Sequence, residues 1–240
     1  MKITVSDSVE FKRLLEALVH ELLDAREHFH LHQGLAAAFS EYAVEFNQAP
    51  NFWSLTMTAH MDAVLMRVCK AYDLYEGKPS LNLRNFLETI QANLDFFDEP
   101  NFRERLKDNP FVDSLAKDSK KPDTVQLQKD LESVTDVNPL VKTLTIWRHN
   151  FIAHRSRTTA LALGEFTNHY PLSYSEIESL ISKGLDIVND YSRLFNASHY
   201  ISYEAKDYKH VLDAIRRDMQ MREARIQEEI DAVNAAANAE

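Results

Sequence analysis

Apolar residues return along this chain at steps of three and four, the spacing that gathers side chains on one face of an α-helix. Leu140, Leu144, Trp147 and Phe151 form one such series, and His154 is its next member. Phe11, Leu14, Leu15, Leu18, Leu22 and Ala25 form another, predicting a helix opened by Asp7 and Glu10 and reaching about His32. Gly34 is expected to interrupt it, with Ala36–Phe46 resuming. After a break at Pro50-Asn51, a helix over Phe52–Tyr75 carries Trp53, Met57, His60, Met61, Val64, Leu65, Val68 and Tyr72 on its apolar side. Ser80 to Leu94 reads as the next helix, and 95–118 as short helical fragments around Pro100 and Pro110.

Asp123 or Thr124 caps a helix bearing Val125, Leu127, Leu131 and Val134. Asn138-Pro139 supplies a cap and a first-turn proline for the helix of the first series. Residues 160–172 read as a loop. Ser173 or Ser175 opens a helix with Ile177, Leu180, Ile181, Leu185, Val188, Tyr191 and Phe195. From Tyr203 to Val233 a thinner seam of Val211 or Leu212, Ile215, Met219, Arg222, Ile226, Ile230 and Val233 predicts a long amphipathic helix, packed along the body or coiled against a partner. The fold class is therefore all-α, with a helical bundle over 1–200 and a C-terminal amphipathic helix with a frayed tail over 201–240.

Composition supports this. Four glycines and seven prolines leave too little turn chemistry for a β-rich fold. A net charge of −10 argues against a general nucleic-acid coat, whose binding rests on neutralising phosphates. The single cysteine, Cys69, sits in an apolar run, excludes an intramolecular disulfide and reads as packing. His28 and His32 share a helix face, but no further ligand is spaced to complete a metal site. No signal peptide or membrane span is evident, so a cytoplasmic protein is expected.

The charge is uneven, and that changes the picture. Between Val137 and Gly164 there is no Asp or Glu, where the chain's average would place about four. The stretch holds Lys142, Arg148, His149, His154, Arg155 and Arg157 instead. It is a basic island in an acidic protein. On an unbroken helix Arg148 and His154 would stand about 9 Å apart along the axis and about 120° apart around it, poorly placed to grip one phosphate. Two copies of the helix about a twofold axis would bring both sets to one cleft.

Arg148-His149-Asn150-Phe151-Ile152-Ala153-His154 resembles the Arg-x(4–6)-His motif of HEPN domains, all-helical nuclease and nucleotide-binding domains of toxin–antitoxin, abortive-infection and CRISPR systems. The wording is most similar to the abortive-infection U2-type branch. The pattern from Phe52-Trp53 through Asp73 to Leu81–Leu87 is similar to helices of the same branch, and the resemblance spans roughly residues 45–195. It implies an HEPN-like bundle, a homodimer and a composite site at the dimer interface.

With those roles carried over, the expected reaction is metal-independent RNA cleavage without a cofactor. His154 would move the proton and Arg148 stabilise the phosphorane. His149, Asn150, Arg155 and Arg157 are the candidate RNA- or phosphate-binding residues, and Asp62 the candidate acid that orients the histidine. RNA is the expected substrate, and an antitoxin protein a candidate partner. The chain departs from the branch at His149, where Asn or Asp is commoner, and at Ser156, where an acid often stands. The alternative is a catalytically inactive dimeric module that binds nucleotide, RNA or a protein partner, with Arg148 in an ion pair and His154 in packing.

Overall fold

In the computed structural model every regular element among the described residues, which are 3–74, 77, 79–117, 121–152 and 157–238, is helical. In order, the helices are α1 (Ser8–Ala38), α2 (Ala43–Phe46), α3 (Pro50–Ala71), α4 (Leu83–Ala92), α5 (Glu99–Arg105), α6 (Val112–Lys117), α7 (Thr124–Ser133), α8 (Pro139–Trp147), α9 (Arg157–Leu161), α10 (Leu163–His169), α11 (Tyr174–Asn196) and α12 (Tyr208–Ala237). A 3₁₀ turn spans Leu94–Phe97 and a π-helical turn spans Arg148–Ile152. The all-α expectation holds, and no strand occurs among the described residues.

Local chemistry sets many of the starts. Asp7 accepts from the N–H groups of Val9 and Glu10 at 2.9 and 2.8 Å, opening α1. Asn82 accepts from Asn85 N, Asp123 from Val125 N, and Asn138 from Leu140 N. Ser173 and Glu176 form a reciprocal capping box at the head of α11.

Two expectations are corrected. Gly34 does not interrupt α1. The space a Cβ would need there is taken by the Tyr208 ring, whose hydroxyl stands 2.8 Å from that point, so glycine serves close packing rather than a break. Residues 160–172 are not a loop, because α9 and α10 occupy most of them.

The chain forms two compact units. The first comprises Met1–Phe29 and Asp62–Tyr203. Its core is an aromatic knot in which Phe11 meets Phe86, Phe97 and Phe195 at centroid distances of 5.6, 5.6 and 4.9 Å. The Arg105 guanidinium caps the knot, 3.9 Å over the Phe195 ring, and donates twice to the Phe195 carbonyl near the end of α11. Burial lowers the pKa of Arg105 to about 10, and nearby Asp98 offsets part of that. Gly184 lets α11 approach α1, since a Cβ there would lie 2.8 Å from Leu22 Cδ2.

A polar network ties α7 to α11. Asp130, 4% exposed, accepts from Lys183 Nζ at 3.0 Å, the Tyr191 hydroxyl at 3.1 Å and Gln126 Nε2 at 3.2 Å. Burial, and secondarily the Asp130 charge, raises the Tyr191 pKa well above its ordinary value. Asp130→Ala strands the Tyr191 hydroxyl while Lys183 stays hydrated. A loss of about 1–3 kcal/mol is expected in urea melts.

The second unit comprises His30–Met61 and Glu204–Glu240. Leu35, Ala38, Tyr42, Phe46, Trp53 and Leu212 form its core, with Ile215 packed alongside. The Arg216 guanidinium holds the Glu45 carboxylate below its ordinary pKa, because the hydrogen bond favours the charged form. A carboxylate depressed on folding stabilises above its unfolded pKa, and that contribution disappears as pH falls through the folded value. Acid should therefore weaken this unit below about pH 4.5. Trp53 fluorescence, read in a Trp147→Phe background, should show that acid-side loss in the parent and little of it in Glu45→Gln.

Candidate active site

The candidate site is built from the end of α8 outward, within the first unit. Asn138 and Pro139 start the helix, and Val141 and Leu144 are buried, with α8 set against α11. Trp147, at its last turn, is partly exposed. It meets Phe151 and Phe166 at 5.4 Å each, and its Nε1 donates to the Tyr170 carbonyl at 2.6 Å. These contacts tie the end of α8 to α10, with Trp147 meeting Phe166 in that helix and the backbone just past it.

Beyond Trp147 the backbone widens into the π-helical turn Arg148–Ile152. The unbroken 3.6-residue register expected across 140–155 therefore ends at Trp147, and the 120° separation it implied no longer applies. Single π turns of this kind recur at functional sites. Asn150 helps to hold this one. Its Nδ2 donates at 2.9 Å to the Ile146 carbonyl, the acceptor that an α-helical Asn150 N–H would have taken.

Arg148 opens the π turn, and its side chain is 25% exposed. Its Nη2 donates at 3.0 Å to Asp73 Oδ2, from just past the end of α3. Asp73 is itself only 15% exposed by side chain and lines a surface pocket of about 260 Å³ together with Glu21, Lys70 and Ser80. Cys69 lies close enough for both charges to act on it. Burial dominates, raising its pKa to about 12, with Arg148 lowering and Asp73 raising it. The thiol is thus protonated at neutral pH, in keeping with packing rather than nucleophilic chemistry.

The acid beside Arg148 is therefore Asp73. Asp62 is exposed and lies about three helical turns earlier, some 16 Å along the helix direction. Periodicity could not have singled out Asp73, since it and Asp62 stand eleven residues apart on one face of one stretch. His149 is exposed, as is Arg157 at the first position of α9. His154 and Arg155 lie outside the described residues. Of the expected set, Arg148, His149 and Asn150 are gathered on the one π turn. No cluster of three or more metal-ligating side chains occurs among the described residues, and no described helix is long and apolar enough to cross a membrane.

No curated protein and no solved structure matches the chain. The family model HEPN_AbiU2, described as AbiU2, matches residues 8–217, a span that contains the whole Arg148–His154 motif together with Asp73. The chain belongs to the HEPN AbiU2 family.

Proposed function

We propose that this protein is a metal-independent endoribonuclease of the toxin or abortive-infection type, acting in phage defence, with Arg148 and His154 of two copies forming a composite site at a homodimer interface. The observation that carries the reading is the placing of Arg148: on a π turn, partly buried, one arm of its guanidinium held by Asp73, in a chain whose family match spans the motif.

The chemistry follows from the groups. The RNA 2′-hydroxyl lies next to the scissile phosphate and serves as the internal nucleophile. His154 takes its proton and returns one to the departing 5′-oxygen. Arg148 keeps its charge throughout and meets the growing negative charge on the non-bridging oxygens. Asp73 fixes the fork that makes this contact. His149, Arg155 and Arg157 position the backbone without reading bases, and Asn150 acts through the shape of the turn. The products are a 2′,3′-cyclic phosphate and a 5′-hydroxyl.

The Asp73–Arg148 pair also suits a second reading, a dimeric module without catalysis, in which the pair is purely structural. An RNA with 2′-deoxy sugar at the cut position separates the two. The nuclease reading requires cutting of the all-ribose strand in EDTA and none at the substituted position. Cutting of both strands alike would exclude the internal nucleophile.

A further inference from the structure

Beside Arg148 lies a pocket that the chemistry above leaves unused. Its volume of about 260 Å³ falls below the range of about 300–1,000 Å³ usual for drug-sized ligands and suits one flat ring system. Three parts of the first unit build it: α1, the end of α3 with the residue pair past it, and the segment leading into α4. Leu18, Ala71 and Leu81 give it apolar walls, and Glu21, Lys70, Asp73 and Ser80 its polar groups. Asp73 is shared. Its Oδ2 accepts from Arg148, and it also lines the pocket. A group in the pocket and a phosphate at Arg148 are thus separated by one carboxylate, within the reach of a single nucleotide.

The charges say what fits. Glu21 faces Lys70 Nζ and Arg67 Nη1 at 3.4 Å each, longer than a good charge-assisted hydrogen bond. The carboxylate is therefore held in place with room to accept more. With the ion-pair partners included, the carboxylates of Glu21, Asp24 and Asp73 stand against the cations of Arg67, Lys70 and Arg148. That balance, with two carboxylates on the walls, disfavours a phosphate and suits a neutral ring with polar edges. Ser80 is fixed from behind. Its carbonyl accepts from Asn85 Nδ2 at 2.8 Å and its hydroxyl oxygen from Asn82 Nδ2 at 3.1 Å. Among the four RNA bases only guanine carries two adjacent N–H donors, N1 and N2, on one edge, the arrangement that a carboxylate accepts at both oxygens. Its O6, next along that edge, accepts from an ammonium or a hydroxyl.

We propose that this pocket receives a guanine base, with Glu21 accepting from N1 and N2 and Lys70 donating to O6, and that RNA is cut beside that guanosine. The cleavage half of the proposal rests on the nuclease reading; the pocket itself does not.

The test has two arms, each run on the full chain with Glu21→Gln and Lys70→Gln. The Lys70 side chain is 59% exposed, so that variant should fold even where Glu21→Gln does not. In the first arm guanosine monophosphate and adenosine monophosphate are titrated by calorimetry. The guanine nucleotide should bind about 10–100-fold more tightly to the parent, and either substitution should shrink that ratio. In the second, oligoribonucleotides differing only in the base beside the cut should show the same preference in kcat/KM, with inosine, which lacks the N2 amine, below guanosine. Equal binding of the two nucleotides, or a preference that neither substitution changes, overturns the pocket. RNA cut without preference for guanine overturns it too, and leaves the nuclease reading standing. Guanine-selective binding that both substitutions weaken, with no RNA cut, upholds the pocket and overturns the nuclease reading.

Discussion

Arg148→Ala is expected to lower the rate of RNA cleavage by about 10²–10³-fold with the fold intact, the size of effect seen when a preorganised charge is taken from a developing anion. Arg148→Lys keeps the charge but not the planar fork, and should recover only a small part of the loss. Asp73→Asn is the sharper probe of how the guanidinium is held. It keeps the shape beside Nη2 and removes the charge. It should cost about 10–10²-fold, mainly in kcat, because a small misplacement of a catalytic group is expensive. Because the side chains of the pair are only 25% and 15% exposed, removing one partner leaves a largely buried charge unpaired and should also lower stability, so rates are compared well below each variant's melting temperature. If Asp73→Asn moved the melting temperature by many degrees and left cleavage unchanged, the pair would be structural alone. Single-turnover rates beside thermal melts distinguish these outcomes.

The largest effect on stability is expected at Phe11. Its ring is fully buried and meets Phe86, Phe96, Phe97 and Phe195, which come from three elements: α4, the 3₁₀ turn and the last turn of α11. Phe11→Ala removes the contact common to all three and leaves a cavity that rigid neighbouring helices cannot close. A loss of about 3–5 kcal/mol is expected. Phe11→Leu fills most of the volume and should cost clearly less. Urea denaturation of the three proteins, followed by circular dichroism, provides the comparison. Equal stability of the parent and Phe11→Ala would show that the knot is not the organising core of the first unit.

What was legible in the sequence was what local chemistry decides. Asn138-Pro139, Asp123 and the Ser173–Glu176 box each carry their helix start in a few adjacent residues, and each start is found where those residues place it. Gly34 misled because its reason lies far along the chain, in the ring of Tyr208, and a glycine chosen for close approach looks the same as one chosen to break a helix. Helices α9 and α10 were missed for a related reason. They are too short to show a period, and α10 meets Trp147, which reaches it from another helix.

The candidate site shows the same division. Arg148 stood out by its motif and by the absence of acids around it. The π turn did not, because the apolar positions on either side of it continue a 3.6-residue series without a visible fault. Asp62 and Asp73 lie on one face of one stretch, eleven residues apart, and periodicity alone ranks them equally. Only the ion pair with Arg148, formed in three dimensions, distinguishes Asp73.

The most direct test of the nuclease account is to incubate the purified protein with a structured RNA in EDTA and identify the new ends, with His154→Ala run alongside. The account predicts 2′,3′-cyclic phosphate and 5′-hydroxyl ends from the parent and at least a 10²-fold slower reaction from the variant. Ends bearing a 5′-phosphate, or equal cutting by the parent and His154→Ala, would contradict it.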